Sequence, residues 1–119
     1  MDFDAVRRIG CAFAGVEPGT SWGQPALKIG KKMFACIASH RSAEPGTLVV
    51  RTDFERRDEL LQEAPDIYYL TDHYVGYPAV LVRLGNIKPD ALRGLLAVAI
   101  QHVQKPKPKR PARKRSTSR

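Results

Sequence analysis

The sequence has no long apolar run and only two cysteines in 119 residues. Its longest uninterrupted apolar stretch, residues 95–100, is far shorter than the roughly 20 residues that a membrane-spanning helix requires. The N-terminus carries charged residues in place of the apolar segment of a secretory signal. Two thiols cannot form a disulfide framework, and no C-x-x-C pair is present to bind zinc. These absences predict a reduced, cytoplasmic protein with no membrane partner.

Acidic residues are missing from positions 105–119, and this divides the chain into two parts. Those positions, called the tail below, hold eight of the 20 Lys and Arg residues. Residues 1–104, called the body, hold the other twelve together with all 12 Asp and Glu residues, so the net charge of +8 belongs to the tail. A segment of Lys, Arg and Pro cannot build a core. We therefore predict one folded domain, the body, followed by a disordered tail.

Apolar periodicity in the body predicts an α+β domain with the element order α-β-β-β-α-β-β-α. Helices are expected over residues 2–14, 52–64 and 89–104, where apolar side chains recur at three- and four-residue steps. Thr52 and Glu55 match the capping-box pattern at the start of the second helix. Five strands are predicted, at 26–29, 33–38, 47–51, 67–70 and 79–84. This order favours an antiparallel sheet with the helices packed on one face, and the strand 33–38, apolar on both faces, is expected near its centre.

Two segments resemble the MmcQ/YjbR family of small bacterial proteins. The stretch P-G-T-S-W-G-Q-P-A-L-K-I-G-K-K-M-F-A, residues 18–35, is similar to its signature hairpin, and D-H-Y-V-G-Y-P-A-V-L-V-R-L-G-N-I, residues 72–87, to its second half. The resemblance covers about residues 2–103 and implies a fold similar to the frataxin-like (CyaY) fold. A double-wing motif for binding duplex DNA has been proposed for this family, which has no established catalytic residues. The resemblance thus implies a bacterial protein for which association with the nucleoid is expected.

The tail is the strongest functional feature of the sequence. Its prolines keep the cations extended, so the segment can follow several phosphates of a nucleic acid, with duplex DNA as the first expectation. It contains no aromatic residue and no Asn or Gln to read base edges, so binding is predicted to be largely independent of sequence. The alternative is a tail that only aids solubility. The candidate phosphate contacts are Lys105, Lys107, Lys109, Arg110, Arg113, Lys114, Arg115 and Arg119.

Lys28, Lys31 and Lys32 crowd the first predicted hairpin, which joins its strands through residues 30–32. One interpretation is a basic wing that touches the phosphate backbone. The other is a set of lysines that protects an exposed strand edge from aggregation.

A second hypothesis concerns a cluster of aromatic and polar residues. Trp22, His73, Tyr74 and Tyr77 are candidates for a small-ligand pocket, in which His73 could act as a general base. The alternative is a tyrosine-rich loop that only packs. If the pocket exists, the protein is a small-ligand or protein-interaction module and the basic tail is incidental.

Two further patterns, a serine-hydrolase motif and a cluster of acidic residues, are interpreted as structural rather than functional. Residues 19–23 match G-x-S-x-G, but a hydrolase needs a helix directly after the serine, and here Pro25 leads into a strand. We interpret this segment as a turn that positions Trp22. Six acidic residues surround the second predicted helix, and because Arg56 and Arg57 interleave with them we interpret them as a solvated face rather than an iron-binding ridge. We therefore expect no enzymatic activity, no cofactor and no metal.

Overall fold

The computed structural model describes residues 1–104, which form an antiparallel sheet of six strands and three helices. The helices are α1 (Phe3–Cys11), α2 (Phe54–Glu63) and α3 (Pro89–Gln104). The strands are β1 (Val16–Ser21), β2 (Gln24–Ile29), β3 (Lys32–Ile37), β4 (Thr47–Arg51), β5 (Tyr68–Tyr69) and β6 (Ala79–Arg83). They lie in the order β1-β2-β3-β4-β6-β5. The predicted α+β class is confirmed, and so is the position of β3 near the centre of the sheet; the tail lies outside the described residues.

The element order differs from the prediction by one additional strand, β1. The pattern of residues 19–23 predicts a turn, whereas Gly19 and Ser21 lie with Pro18 inside β1, which pairs with β2 along its whole length. Proline is tolerated there because β1 is an edge strand, where a missing N–H leaves no neighbouring strand unpaired. The turn instead falls at Trp22 and Gly23, whose φ angles are 56° and 75°. Two successive residues with positive φ are typical of the tight two-residue hairpin turn of type I′.

The β2–β3 hairpin is also tighter than predicted. Its turn consists of Gly30 and Lys31 alone, with φ angles of 55° and 69°, and Lys32 already belongs to β3. The strand register shifts between Leu27 and Lys28, so that Leu27 pairs with Ala35 and Lys28 with Met33.

The predicted capping box at α2 is wrong by one residue. The N-cap is Asp53, whose carboxylate accepts a hydrogen bond of 2.7 Å from the backbone N–H of Arg56. Thr52 is buried, and its backbone N–H donates to the carbonyl oxygen of Pro78. Thr and Asp are both good N-cap residues, and the bond to Pro78 keeps Thr52 outside the helix.

The two faces of the sheet have different partners. The larger apolar cluster joins one face to the helices through residues such as Val6, Leu60 and Leu96, which confirms that the helices pack on one side. The opposite face, called the outer face below, carries a smaller cluster made of strand residues and Tyr74 from the segment 71–78. No helix within residues 1–104 is both long enough and apolar enough to cross a membrane.

Candidate functional site

The first candidate site is the end of the molecule where the β2–β3 turn meets the last residues of α3. Lys31 is exposed in this turn. Lys32 Nζ donates a hydrogen bond of 3.1 Å to the carbonyl oxygen of Val103, which places a positive charge at the negative end of the helix dipole. α3 ends at Gln104, directly after Val103, so the last described residue lies at this end of the body. This end of the body is called the basic end below.

Lys28, the third lysine of the predicted wing, lies apart from the other two. Lys28 and Ile29 are neighbours in a strand and point to opposite faces, and Lys32 pairs with Ile29. Lys28 and Lys32 therefore lie on opposite faces of the sheet. Lys28 is half-buried, and its side chain lies 3.4 Å from where a Cβ atom on Gly19 would be. All of the tail's predicted phosphate contacts lie outside the described residues.

The second candidate site is a cavity of about 530 Å³ on the outer face of the sheet. Trp22, His73, Tyr74 and Tyr77, the four residues predicted to form a ligand pocket, all line it. Trp22 comes from the β1–β2 turn, and the other three come from the segment 71–78. The remaining lining residues are Met33, Cys36, Ser39, His40, Val49, Arg51, Pro78 and Ala79. The structure thus brings the predicted pocket residues to one place.

Trp22 stands at the rim of this cavity in an unusual conformation. Its φ of 56° lies in the left-handed region, and its side chain is 83% exposed. This region costs an L-residue with a Cβ roughly 1–2 kcal/mol, and Asn or Gly is the usual occupant of such a turn position. Backbone strain of this kind is concentrated at functional sites. The fold therefore holds a large aromatic ring at the cavity mouth at a cost in stability.

Two histidine rings stack at one end of the cavity. The ring centres of His40 and His73 are 3.6 Å apart, their planes differ by 5°, and Tyr74 packs edge-on against both. The backbone N–H of Ser42 donates to His40 Nδ1 at 3.1 Å, so that the neutral ring carries its proton on Nε2. Desolvation of the ring lowers the pKa of His40, and the nearby charges of His73 and Arg41 lower it further.

Arg51 brings a guanidinium to the apolar part of the cavity. It is the last residue of β4, is half-buried, and donates from Nη1 to the carbonyl oxygen of Met33 at 3.5 Å. No Asp or Glu is among the residues that line the cavity. Within residues 1–104, no carboxylate oxygen lies within 4.0 Å of this guanidinium. Arg51 thus forms no ion pair in the described part of the chain.

A buried arginine of α2 stabilises the segment 71–78, which forms one wall of the cavity. Arg57 is 8% exposed, and its Nη1 donates to the carbonyl oxygens of Val75 at 2.9 Å and Tyr77 at 3.1 Å. The guanidinium also lies 4.7 Å from the centre of the Phe54 ring. This arginine was predicted to lie on a solvated helix face; instead it ties α2 to the segment that positions Tyr77.

The other sequence patterns do not assemble into a reactive centre. Ser21 ends β1 and is followed by a turn and then β2, so the strand–turn–helix geometry of a nucleophile elbow is not formed. The six acidic residues around α2 are exposed. Among residues 1–104, no group of three or more His, Cys, Asp or Glu side chains could hold a metal ion. Burial raises the pKa of the Cys36 thiol to about 11, so this thiol is a weak nucleophile at neutral pH.

The sequence model of the YjbR family matches residues 11–101. The chain belongs to the YjbR family. Two relatives, Uncharacterized protein Rv2570 of Mycobacterium tuberculosis and Uncharacterized protein Mb2600 of Mycobacterium bovis, are each 30% identical over 79 residues. Each match covers 66% of this chain but 61% of the relative, so the chain spans about three fifths of the length of these curated relatives.

A solved structure shares the fold of this YjbR-family protein. The crystal structure of Deinococcus radiodurans protein DR2400, with the domain DUF419, superimposes with a TM-score of 0.68 at 22% sequence identity. The superposition covers 87% of this chain and 79% of the other. The resemblance inferred from residues 18–35 and 72–87 is therefore confirmed at the level of family and fold.

Sequence reasoning missed several residues of the cavity, above all Arg51 and His40. Val49 and Arg51 are two positions apart in β4, and this spacing alone would place them on one face. Contacts between distant parts of the chain decide which face of the sheet has no helix. They also decide where the segment 71–78 crosses that face. No local pattern shows those contacts.

Proposed function

We propose that this YjbR-family protein is a non-enzymatic DNA-binding protein that contacts the phosphate backbone of duplex DNA with its tail and its basic end. One observation carries the proposal: α3 ends beside the β2–β3 turn, where Lys32 holds the carbonyl of Val103. Lys31 is exposed in that turn, and the eight cations of the tail follow α3 in the sequence. Because the body has no net charge, this end concentrates the attraction for a polyanion.

The proposed contacts are electrostatic and need no recognition of bases. Each Lys or Arg that neutralises a phosphate releases a counterion, so affinity falls as the salt concentration rises. Lys32 already donates to a helix carbonyl, which leaves Lys31 and the tail as the main groups for phosphate. A reduced, cytoplasmic protein associated with the nucleoid fits this role, and the proposal contains no catalytic step.

A salt series tests the proposal with two full-length proteins of equal length. One is the natural chain, and in the other all eight tail Lys and Arg residues are replaced by Gln. Binding to a labelled DNA duplex is followed by fluorescence anisotropy at increasing salt. The slope of log affinity against log salt should become shallower by about 0.9 for every phosphate that the variant no longer neutralises. Equal affinity and equal slope for the two proteins would refute the role of the tail.

A matched pair of single variants tests the basic end. Lys31→Gln and Arg93→Gln each remove one positive charge, but Arg93 lies ten residues before Val103 in α3, about 15 Å away along the helix axis. Lys31→Gln should weaken DNA binding, and Arg93→Gln should leave it nearly unchanged. Equal effects would mean that only total charge matters. Tighter binding to duplex RNA than to duplex DNA at the same salt would replace DNA as the partner.

A further inference from the structure

The cavity on the outer face has the size and the floor of a small-molecule site. Its volume of about 530 Å³ lies within the range of roughly 300–1,000 Å³ that is typical of ligand pockets. Cys36, Val49 and Ala79 contribute buried apolar surface to it. An apolar floor with a few polar groups favours an organic ligand over a bare ion.

The charge around the cavity favours an anion. Arg51 is half-buried and has no carboxylate within 4.0 Å among residues 1–104, so its bond to the neutral carbonyl of Met33 leaves its charge uncompensated and open to an anion. The neutral His40 ring, held with its proton on Nε2 by the bond from Ser42, adds a hydrogen-bond donor to the lining. An acidic group on a ligand would pair with Arg51, since guanidinium groups bind carboxylate and phosphate well, and His40 is a further donor elsewhere in the lining.

The rim of the cavity favours a flat ring. Trp22 and Tyr77 are 83% and 55% exposed, and Tyr77 lies 6.1 Å from the ring of His73, centre to centre. Exposed rings around a cavity offer faces and edges on which another aromatic ring can stack. The turn fixes the backbone of Trp22 at the rim, and its largely exposed indole ring is available to a ligand.

We propose that the cavity binds a small, flat aromatic molecule with an acidic group, whose charge lies on Arg51 and whose ring lies against Trp22 and Tyr77. This site is separate from the DNA contacts proposed above and does not depend on them. The ligand class is an aromatic carboxylate or a compound with similar charge and shape.

The test uses the full-length protein and three probes of similar size: 2-naphthoate, its neutral isostere 2-naphthamide, and the saturated, non-aromatic anion decahydro-2-naphthoate. Trp22 is the only tryptophan of the chain, so its single indole N–H signal in a ¹H–¹⁵N spectrum reports on the rim without ambiguity. 2-Naphthoate should shift this signal and bind about tenfold more tightly than either other probe, as expected for one charge-assisted contact together with ring stacking. Naphthoate that associates only with the tail would leave the Trp22 signal in place and would overturn the proposal.

Two variants and a matched control locate the contacts. Arg51→Gln should reduce the preference for naphthoate over naphthamide by about tenfold, whereas Arg93→Gln, on the surface of α3, should preserve it. If Arg51→Gln does not fold, Trp22→Asn serves in its place, because its turn geometry suits Asn. Trp22→Asn should weaken both aromatic probes and spare decahydro-2-naphthoate; because this variant lacks the indole reporter, its affinities are measured by isothermal titration calorimetry. Equal affinities for naphthoate and naphthamide, or affinities that neither variant changes, would overturn the proposal.

A Trp22 signal that shifts when the protein alone is diluted would assign the cavity to a second copy of the chain instead.

Discussion

At the scale of single residues, the conformation of Trp22 lowers the stability of the fold at a position where its ring serves the proposed ligand site. Its φ of 56° suits Asn far better than Trp, and its side chain is mostly exposed. We expect Trp22→Asn to raise the free energy of unfolding by roughly 1 kcal/mol, because it relieves the left-handed strain and removes little packing. Chemical denaturation of the two proteins measures this difference.

Lys31→Asn is the matched control for this prediction. Lys31 has a φ of 69° in the other tight hairpin turn, so the change should also stabilise the fold. It should leave probe binding in the cavity unaltered, unlike Trp22→Asn. A loss of stability in Trp22→Asn would show that the indole ring stabilises the fold by packing, and strain would no longer explain this residue.

The stacked histidines predict a defined response to pH. The pKa of His40 is lowered from 6.5, so the unfolded chain takes up this proton more readily than the folded one. The neutral His40 ring therefore makes its full contribution to the free energy of unfolding above pH 6.5, and this contribution is lost as the pH falls below that value. An NMR titration should place the midpoint of His40 below 6.5, and His73→Gln should move it upward by removing a nearby like charge. A midpoint that His73→Gln leaves in place would contradict this account.

At the scale of elements, two helical glycines have opposite roles. A Cβ atom on Gly10 of α1 would lie 2.4 Å from Cδ1 of Leu27, which is fully buried, whereas one on Gly94 of α3 would meet nothing within 4 Å. Gly10→Ala should destabilise the protein by roughly 1–3 kcal/mol, because α1 packs closely against β2 there. Gly94→Ala should stabilise it by up to about 1 kcal/mol through helix propensity alone. Thermal unfolding of both variants measures the difference; a stabilising Gly10→Ala would mean that Leu27 moves aside at little cost.

The elements also show what the sequence can and cannot predict. Amphipathic stripes and apolar strands located all three helices and five of the six strands. The sixth, β1, was missed because Pro18 and Gly19 resemble a turn, and only pairing with β2 shows that they lie at a sheet edge. Similarly, composition pointed to the aromatic residues of the cavity, whereas Arg57 was misinterpreted because its partners, Val75 and Tyr77, are 18 and 20 positions away.

At the scale of the whole molecule, the two proposed sites lie on opposite faces of the sheet, although Met33, which lines the cavity, directly follows Lys32 in β3. The basic end lies where α3 meets the β2–β3 turn, and the cavity lies on the outer face, with the Trp22 turn at the opposite end of β2. Six residues of strand, about 20 Å at roughly 3.4 Å per residue, separate the Trp22 rim of the cavity from the β2–β3 turn, whereas the Arg51 end of the cavity lies beside Met33.

The placement of the two sites on opposite faces of the sheet predicts independent binding. Neutralising the tail should change the affinity for 2-naphthoate at the cavity by less than about twofold, and Arg51→Gln should leave the salt slope of DNA binding unchanged. Both quantities come from the titrations described above. If saturating naphthoate alters DNA affinity while the ionic strength is held constant, the two sites are coupled and the prediction is wrong.

The two edge strands of the sheet also discourage pairing with strands of other molecules. One border is β1, where Pro18 offers no amide hydrogen to an incoming chain, and the other is β5, only two residues long. Neither border is a good template for growth into fibrils. A concentrated sample should therefore resist amyloid formation, and replacing Pro18 with a β-branched residue would be the simplest way to weaken that protection.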